Sequence, residues 1–232
     1  MKNELAVVTG ASSGIGAAIA QRLLEEGYEV YGIGRDFSSC PVTAHPCFHM
    51  TELDLLDTKA LLAFCASLPK ENLTVLINNA GCAFYGPHET LSPEQIQTMT
   101  RVNLEVPALL CGQLLRPLRD NRGFIINIAS VTALEPSPHG AVYGALKAGL
   151  VHFSRTLFAE NRKHGLRVSV ILPDMTDTQL YRNADFGPEL TEGAYLQPED
   201  VAEAVMTLLR QREGTVIEEL VLRPQLHRIC RK

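Results

Sequence analysis

The chain has 232 residues, 46% hydrophobic and 20% charged, the balance of a soluble globular protein that can bury a full core. Its 26 acidic residues outnumber its 21 basic ones for a net charge of −5, and no basic block stands out, so nucleic-acid binding is not expected. No apolar run reaches membrane-spanning length, and Met1-Lys2-Asn3-Glu4 leads straight into Leu5-Ala6-Val7-Val8 without the series of a signal peptide, so no membrane partner and a cytoplasmic location are expected.

Taken in order, Leu5–Thr9 is a short apolar strand. The run Gly10-Ala11-Ser12-Ser13-Gly14-Ile15-Gly16 follows, and then an amphipathic helix through Leu24 that stops near Gly27. Tyr28–Ile33 is a second strand. The glycines therefore fall at a strand-to-helix turn inside a βαβ unit, the context that a phosphate-binding loop requires. Their spacing is Gly-x-x-x-Gly-x-Gly rather than Gly-x-Gly-x-x-Gly.

Phe48–Leu55 reads as a third strand, and Asp57 caps the helix that follows it. Leu73–Ile77 is a buried strand ending in the polar turn Asn78-Asn79-Ala80-Gly81, at the sheet edge where ligands bind in parallel α/β folds. Ser92-Pro93-Glu94 starts a long helix that runs past Asn103 to about Leu118, with a bend expected at Pro107. Gly123–Ala129 is a strand ending at Ser130. A long helix carries Tyr143 and Lys147 and runs to Glu160, and Leu166–Leu172 is a strand closed by Pro173. Residues from about 174 to 196 lack clear periodicity and read as a lid or binding loop. A helix over Gln197–Gln211 and a strand over Val216–Leu222 complete the alternation. There is no internal repeat and no composition break. The expected fold is α/β: one Rossmann-type, doubly wound domain with a seven-stranded parallel sheet and helices on both faces.

Six cysteines show no framework spacing and read as small buried hydrophobes. Cys40, His45, Cys47 and His49 lie close together but do not continue a recognised finger spacing, so no metal site is expected. Tyr143 and Lys147 lie four residues apart, on one helical face. A neighbouring ammonium favours phenolate, so Lys147 is expected to pull the Tyr143 pKa below about 10.

Five features, in order, resemble the short-chain dehydrogenase/reductase family over nearly the whole chain. They are Thr9–Gly16, Asn78-Asn79-Ala80-Gly81, Asn103, Ser130 and Tyr143-x-x-x-Lys147. The resemblance implies a hydride-transferring oxidoreductase acting on a small-molecule carbonyl or secondary alcohol. Tyr143 would be the general acid or base and Ser130 would bind the reacting oxygen. Lys147 would tune Tyr143 and hold the nicotinamide ribose, and Asn103 would distort its helix locally and hold a relay water. Cofactor contacts would come from Gly10, Ser12, Ser13, Gly14, Ile15, Gly16, Asp54, Leu55, Asn79, Ala80, Gly81, Pro173 and Thr176 or Thr178. Gly34 stands where the family's NAD-binding acid would be, and the adjacent Arg35 can fork onto a 2′-phosphate, so NADP is expected and NAD is the alternative. Asp36 is a competing acid close by. The family's usual Pro-Gly is Pro173-Asp174 here, which leaves Asp174 either a substrate contact or a turn aspartate. Substrate contacts are expected from Ser130, Thr132, His139, Tyr143 and Tyr181, with Val131, Phe84 and Tyr85 near the pocket. A homodimer or homotetramer is expected. Two other readings use the same scaffold: a non-catalytic NAD(P)-binding sensor, and an isomerase or dehydratase.

Overall fold

A computed structural model describes residues 4–232. The first strand, β1 (Leu5–Thr9), is buried at every position, as an apolar strand covered on both faces must be. The chain continues through α1 (Gly14–Glu25), β2 (Glu29–Gly34), β3 (Phe48–Glu52), α2 (Thr58–Ser67) and β4 (Leu73–Asn78). Next come α3 (Pro93–Thr100), α4 (Val106–Asp120), β5 (Phe124–Ile128), α5 (Ala141–Asn161) and β6 (Arg167–Pro173). Last are β7 (Phe186–Pro188), α6 (Pro198–Leu209), β8 (Glu219–Leu222) and β9 (Ile229–Arg231).

Seven strands form one parallel sheet in the order β3-β2-β1-β4-β5-β6-β8. The order reverses between β1 and β4, and a crevice opens there at the carboxyl ends of the strands. One apolar core lies under α1 and α6, with Ile19, Leu23, Val201 and Val205 buried. The other lies under α2, α4 and the end of α5, with Leu61, Leu110, Leu114 and Leu157 buried. The Rossmann-type expectation matches this architecture.

The departures are local. The long helix breaks not at Pro107 but in a π-helical turn over Arg101–Glu105 that separates α3 from α4 and contains Asn103, where the resemblance implied a local distortion, while Pro107 sits in the first turn of α4. The last strand of the large sheet is four residues, because Val216–Glu218 precede it as irregular chain. A second, two-stranded sheet was not legible in the sequence: β9, near the C-terminus, pairs antiparallel with β7. The tail from Arg223 onwards thus lies along the 174–196 segment. Leu226 donates to the Gly193 carbonyl, and the Lys232 Nζ donates to the Tyr181 carbonyl at 2.6 Å.

Buried amides tie α5 to the sheet. Asn78 Nδ2 donates to Asn127 Oδ1 at 2.8 Å, and Asn127 Nδ2 donates to Ser154 Oγ at 2.7 Å. All three side chains are buried, and the chain of bonds fixes how α5 is rotated against β4 and β5. Replacing Asn127 by alanine leaves buried partners unsatisfied, at a cost of roughly 2 kcal/mol. The expected outcome is a melting temperature lower by roughly 5 °C, read by calorimetry.

Candidate active site

One cavity of about 340 Å³ runs along the crevice between β1 and β4. Its walls include Gly10, Ser12, Ser13, Gly14 and Ile15 from the first turn; Arg35, Asp54 and Leu55; and Asn79, Ala80 and Gly81 after β4. Ser130, Tyr143, Lys147, Pro173, Thr176, Thr178 and Tyr181 line the same space.

The first turn is built to face an anion. Ser13 is the N-cap of α1 but makes no side-chain capping bond. At α2 and α3, by contrast, the side chains of Asp57 and Ser92 accept from the leading amides. The leading amides and positive dipole end of α1 therefore stay open toward the cavity. Gly14 has a φ of +52°, and a Cβ there would stand 3.3 Å from the Thr178 methyl, so the 174–196 segment closes directly over this turn. Gly16 does not line the cavity. A Cβ there would fall 2.1 Å from the Gly10 carbonyl oxygen, so this glycine lets α1 pack against the loop beneath it.

Thr9 joins the two cofactor motifs. Its hydroxyl accepts from the amides of Asn79 and Ala80, each at 3.0 Å, and Asn79 Nδ2 returns a bond to the Thr9 carbonyl at 2.9 Å. The turn after β4 is thereby pinned to the end of β1.

At the end of β2, a Cβ on Gly34 would lie 2.7 Å from the Ser12 Cβ and 2.9 Å from Phe37 Cζ. No carboxylate side chain fits at that position without displacing both neighbours. Asp36, the competing acid, accepts from the Ser38 amide at 2.8 Å and does not border the cavity. Arg35 does border it, exposed and without an ion pair among the described residues.

At the opposite end, α5 carries Tyr143 and Lys147 side by side. Both are buried, and the ammonium lies 5.6 Å from the phenol ring centroid. Gly144 lets the helix approach the turn after Ser130, since a Cβ there would be 3.0 Å from the Thr132 carbonyl oxygen. Lys147 Nζ donates to the Ile128 carbonyl at 2.9 Å. Asn103 is fully buried within the π-helical turn, where its Nδ2 donates to the carbonyls of Cys82 at 2.8 Å and Met99 at 2.9 Å. Its Oδ1 has no partner. A Cβ on Gly81 would lie 3.1 Å from that oxygen and 3.6 Å from Lys147 Nζ, so the amide and the ammonium border one small polar space.

The electrostatics correct one expectation. The Tyr143 pKa is raised well above its ordinary value, because burial dominates; nearby Tyr85 and Tyr181 add to the shift, and hydrogen bonding with Ser130 opposes it. The lysine was expected to win. Instead burial also acts on Lys147 and lowers its pKa to about 8. Tyr143 is thus held as a neutral phenol, a proton donor rather than a ready base.

Thr132 and His139, expected at the substrate pocket, do not line the cavity. The Thr132 hydroxyl is buried without a partner, its backbone serving α5 instead. His139 is exposed with φ +64°, turning the chain into α5 while its carbonyl accepts from the Gly86 amide at 3.0 Å. The nearest lining residues along the chain are Ser130, two positions before Thr132, and Tyr143, four positions after His139. Tyr85 stands behind the wall: it packs 6.0 Å from Tyr143 and 4.9 Å from Phe186, ring centre to centre.

Asp174 turns out to be a structural aspartate. Its Oδ1 accepts from its neighbour's amide, Met175 N, at 2.8 Å, and its Oδ2 is held by His227 Nδ1 at 3.2 Å and Arg223 Nη1 at 3.5 Å. Arg223 also pairs with Glu135 at 2.6 Å. Both carboxylate oxygens are engaged, so the residue that replaces the family's usual glycine anchors the tail to the end of β6. Arg182 and Cys82, which the sequence did not single out, also line the cavity. Their only sequence signal was position: one follows Tyr181 and the other follows Gly81.

Comparison with known proteins agrees with this geometry. The short chain dehydrogenase family profile matches residues 4–187. The serine 3-dehydrogenase of Rhizobium radiobacter is 32% identical over 94% of this chain and 92% of its own. An alcohol dehydrogenase from the archaeon Thermococcus sibiricus, complexed with 5-hydroxy-NADP, superposes with a TM-score of 0.88 at 27% identity, covering 98% of this chain and 99% of that one. A metagenomic short-chain oxidoreductase in complex with NADP gives 0.80 at 32% identity, with 96% and 98% covered. Among the described residues, no helix is long and apolar enough to cross a membrane. The chain belongs to the short-chain dehydrogenase family and is an oxidoreductase of that family.

Proposed function

We propose that this protein transfers a hydride between NADP(H) and a carbonyl or secondary alcohol, with Tyr143 as the proton donor in the reducing direction. The observation that carries the reading is the meeting of Ser130, Tyr143 and Lys147 in the same cavity as the open N-terminus of α1 and Arg35. A dinucleotide fits that span: its pyrophosphate suits the uncapped helix start and its 2′-phosphate suits Arg35. The NADP complexes of related structures support the same choice.

When bound, the nicotinamide supplies the hydride that forms the new C–H bond at the carbonyl carbon. The Ser130 hydroxyl orients the carbonyl oxygen, and Tyr143 gives that oxygen its proton as negative charge develops on it. The tyrosine regains its proton from Lys147, whose ammonium is resupplied from solvent through a water in the space bordered by Asn103 Oδ1. The balance is one hydride and one proton added to one carbonyl. The segment over residues 174–196 acts as the lid, closing on Gly14 through Thr178.

Arg35→Ala is expected to weaken NADPH by at least about tenfold and to leave NADH within about twofold, since only the phosphate loses a charge-assisted partner. Titration of both cofactors checks this, and equal losses for the two would remove Arg35 from the phosphate site. Incubation with NADPH and a panel of aldehydes and ketones tests the reaction itself. Loss of nicotinamide absorbance with alcohol formed is the expected result. Cofactor bound without turnover would point to a sensor, and product change without net oxidation to an isomerase or dehydratase.

A further inference from the structure

We infer that Arg182 selects substrates bearing a carboxylate, placing its guanidinium opposite the carbonyl that Ser130 and Tyr143 receive; this rests on the reductase reading above. Arg182 lies in the short turn Gln179–Asn183 that follows Thr178, next to Tyr181 in the cavity wall. Its side chain makes one weak bond, Nη1 to the Gln179 carbonyl at 3.4 Å, and no ion pair among the described residues.

The charges lining the cavity give that free cation a direction. They are Arg35, Lys147 and Arg182 against Asp54 and Asp174. Asp174 is already held by Arg223 and His227, and Asp54 accepts from the Leu56 amide at 2.9 Å. Among the described residues, neither Lys147 nor Arg182 pairs with a carboxylate. Arg182 follows Tyr181, whose ring stacks on Tyr85 at 6.3 Å between centres, and Tyr85 in turn packs 6.0 Å from Tyr143, so this turn lies beside the reacting end of the cavity. A fork of donors beside an aromatic wall recognises a planar carboxylate and leaves a neutral ester without its partner. An ammonium-bearing substrate lacking a carboxylate would meet only like charge there.

The test uses terephthalaldehydic acid and its methyl ester as paired aldehyde probes with NADPH, on the wild type and Arg182→Met. The wild type is expected to favour the acid by about tenfold or more in kcat/KM. Arg182→Met is expected to lose that preference, with the ester rate and the NADPH Kd each kept within about twofold. If the wild type reduces the ester as well as the acid, the inference fails while the reductase reading stands. If the variant loses both substrates equally, or weakens NADPH by the same factor, Arg182 belongs to the cofactor's pyrophosphate instead. If neither aldehyde is reduced although NADPH binds, the inference fails, and turnover on the aldehyde and ketone panel decides the reductase reading separately.

Discussion

Tyr143→Phe is expected to cut NADPH-dependent carbonyl reduction by roughly 10³-fold while leaving the NADPH Kd within about threefold. The substitution removes one oxygen from a buried ring and leaves the ring packed against Tyr85. What it takes away is the proton. Burial holds the phenol neutral, with its pKa well above the ordinary value, so at neutral pH the site contains a single poised donor for the carbonyl oxygen. Ser130 can hydrogen-bond that oxygen but has no comparable route for resupply. Steady-state kinetics together with cofactor titration separate the two effects. Near-normal turnover in the variant would assign the proton to another group.

Lys147→Met is expected to lower the reduction rate by about 10²-fold or more and yet to raise the melting temperature of the cofactor-free protein. The lysine is buried, and its folded pKa of about 8 lies below the ordinary 10.5. Between those values the unfolded chain binds the proton and the folded chain does not, so stability rises with pH across that window. Read at neutral pH, burial of the ammonium costs about 3 kcal/mol. Methionine fills the same volume without the charge. The same pKa predicts that wild-type reduction declines as pH rises through about 8, when Lys147 loses the proton it passes to Tyr143. In the methionine variant that descending limb is absent, and the rise of stability between pH 8 and 10.5 disappears with it. Thermal melts across pH, run beside pH–rate profiles, read both outcomes.

The residues proposed as catalytic were legible as candidates because each sits at a backbone landmark. Ser130 follows a strand, Tyr143 and Lys147 share a helix face, and the glycines open a helix after β1. The parallel sheet with helices on both faces followed from the alternation of apolar strands and amphipathic helices. What stayed hidden depends on depth or on distant partners. Asn127 reads as one polar residue inside an apolar strand, and its bonds to Asn78 and Ser154 join residues 49 and 27 positions away. Asp174 reads as a turn residue until Arg223 and His227 reach it from the tail, 49 and 53 positions on. The pairing of β9 with β7 joins two three-residue strands with no periodicity to reveal them. The Tyr143 shift was misjudged because spacing gives the distance to Lys147 but not the burial of either group. The glycine-rich turn, conversely, gains support that no motif carries: the start of α1, without a side-chain cap, stands out beside the side-chain-capped starts of α2 and α3.

The most direct test follows the hydride. Wild-type protein is given NADPH carrying deuterium in the transferable position at C4 and an excess of an aldehyde, and the alcohol is analysed by mass spectrometry. One deuterium per alcohol, on the former carbonyl carbon and matched by one cofactor oxidised, is the result that the proposed hydride transfer predicts. Alcohol without label, or labelled cofactor bound and left unconsumed, would contradict it.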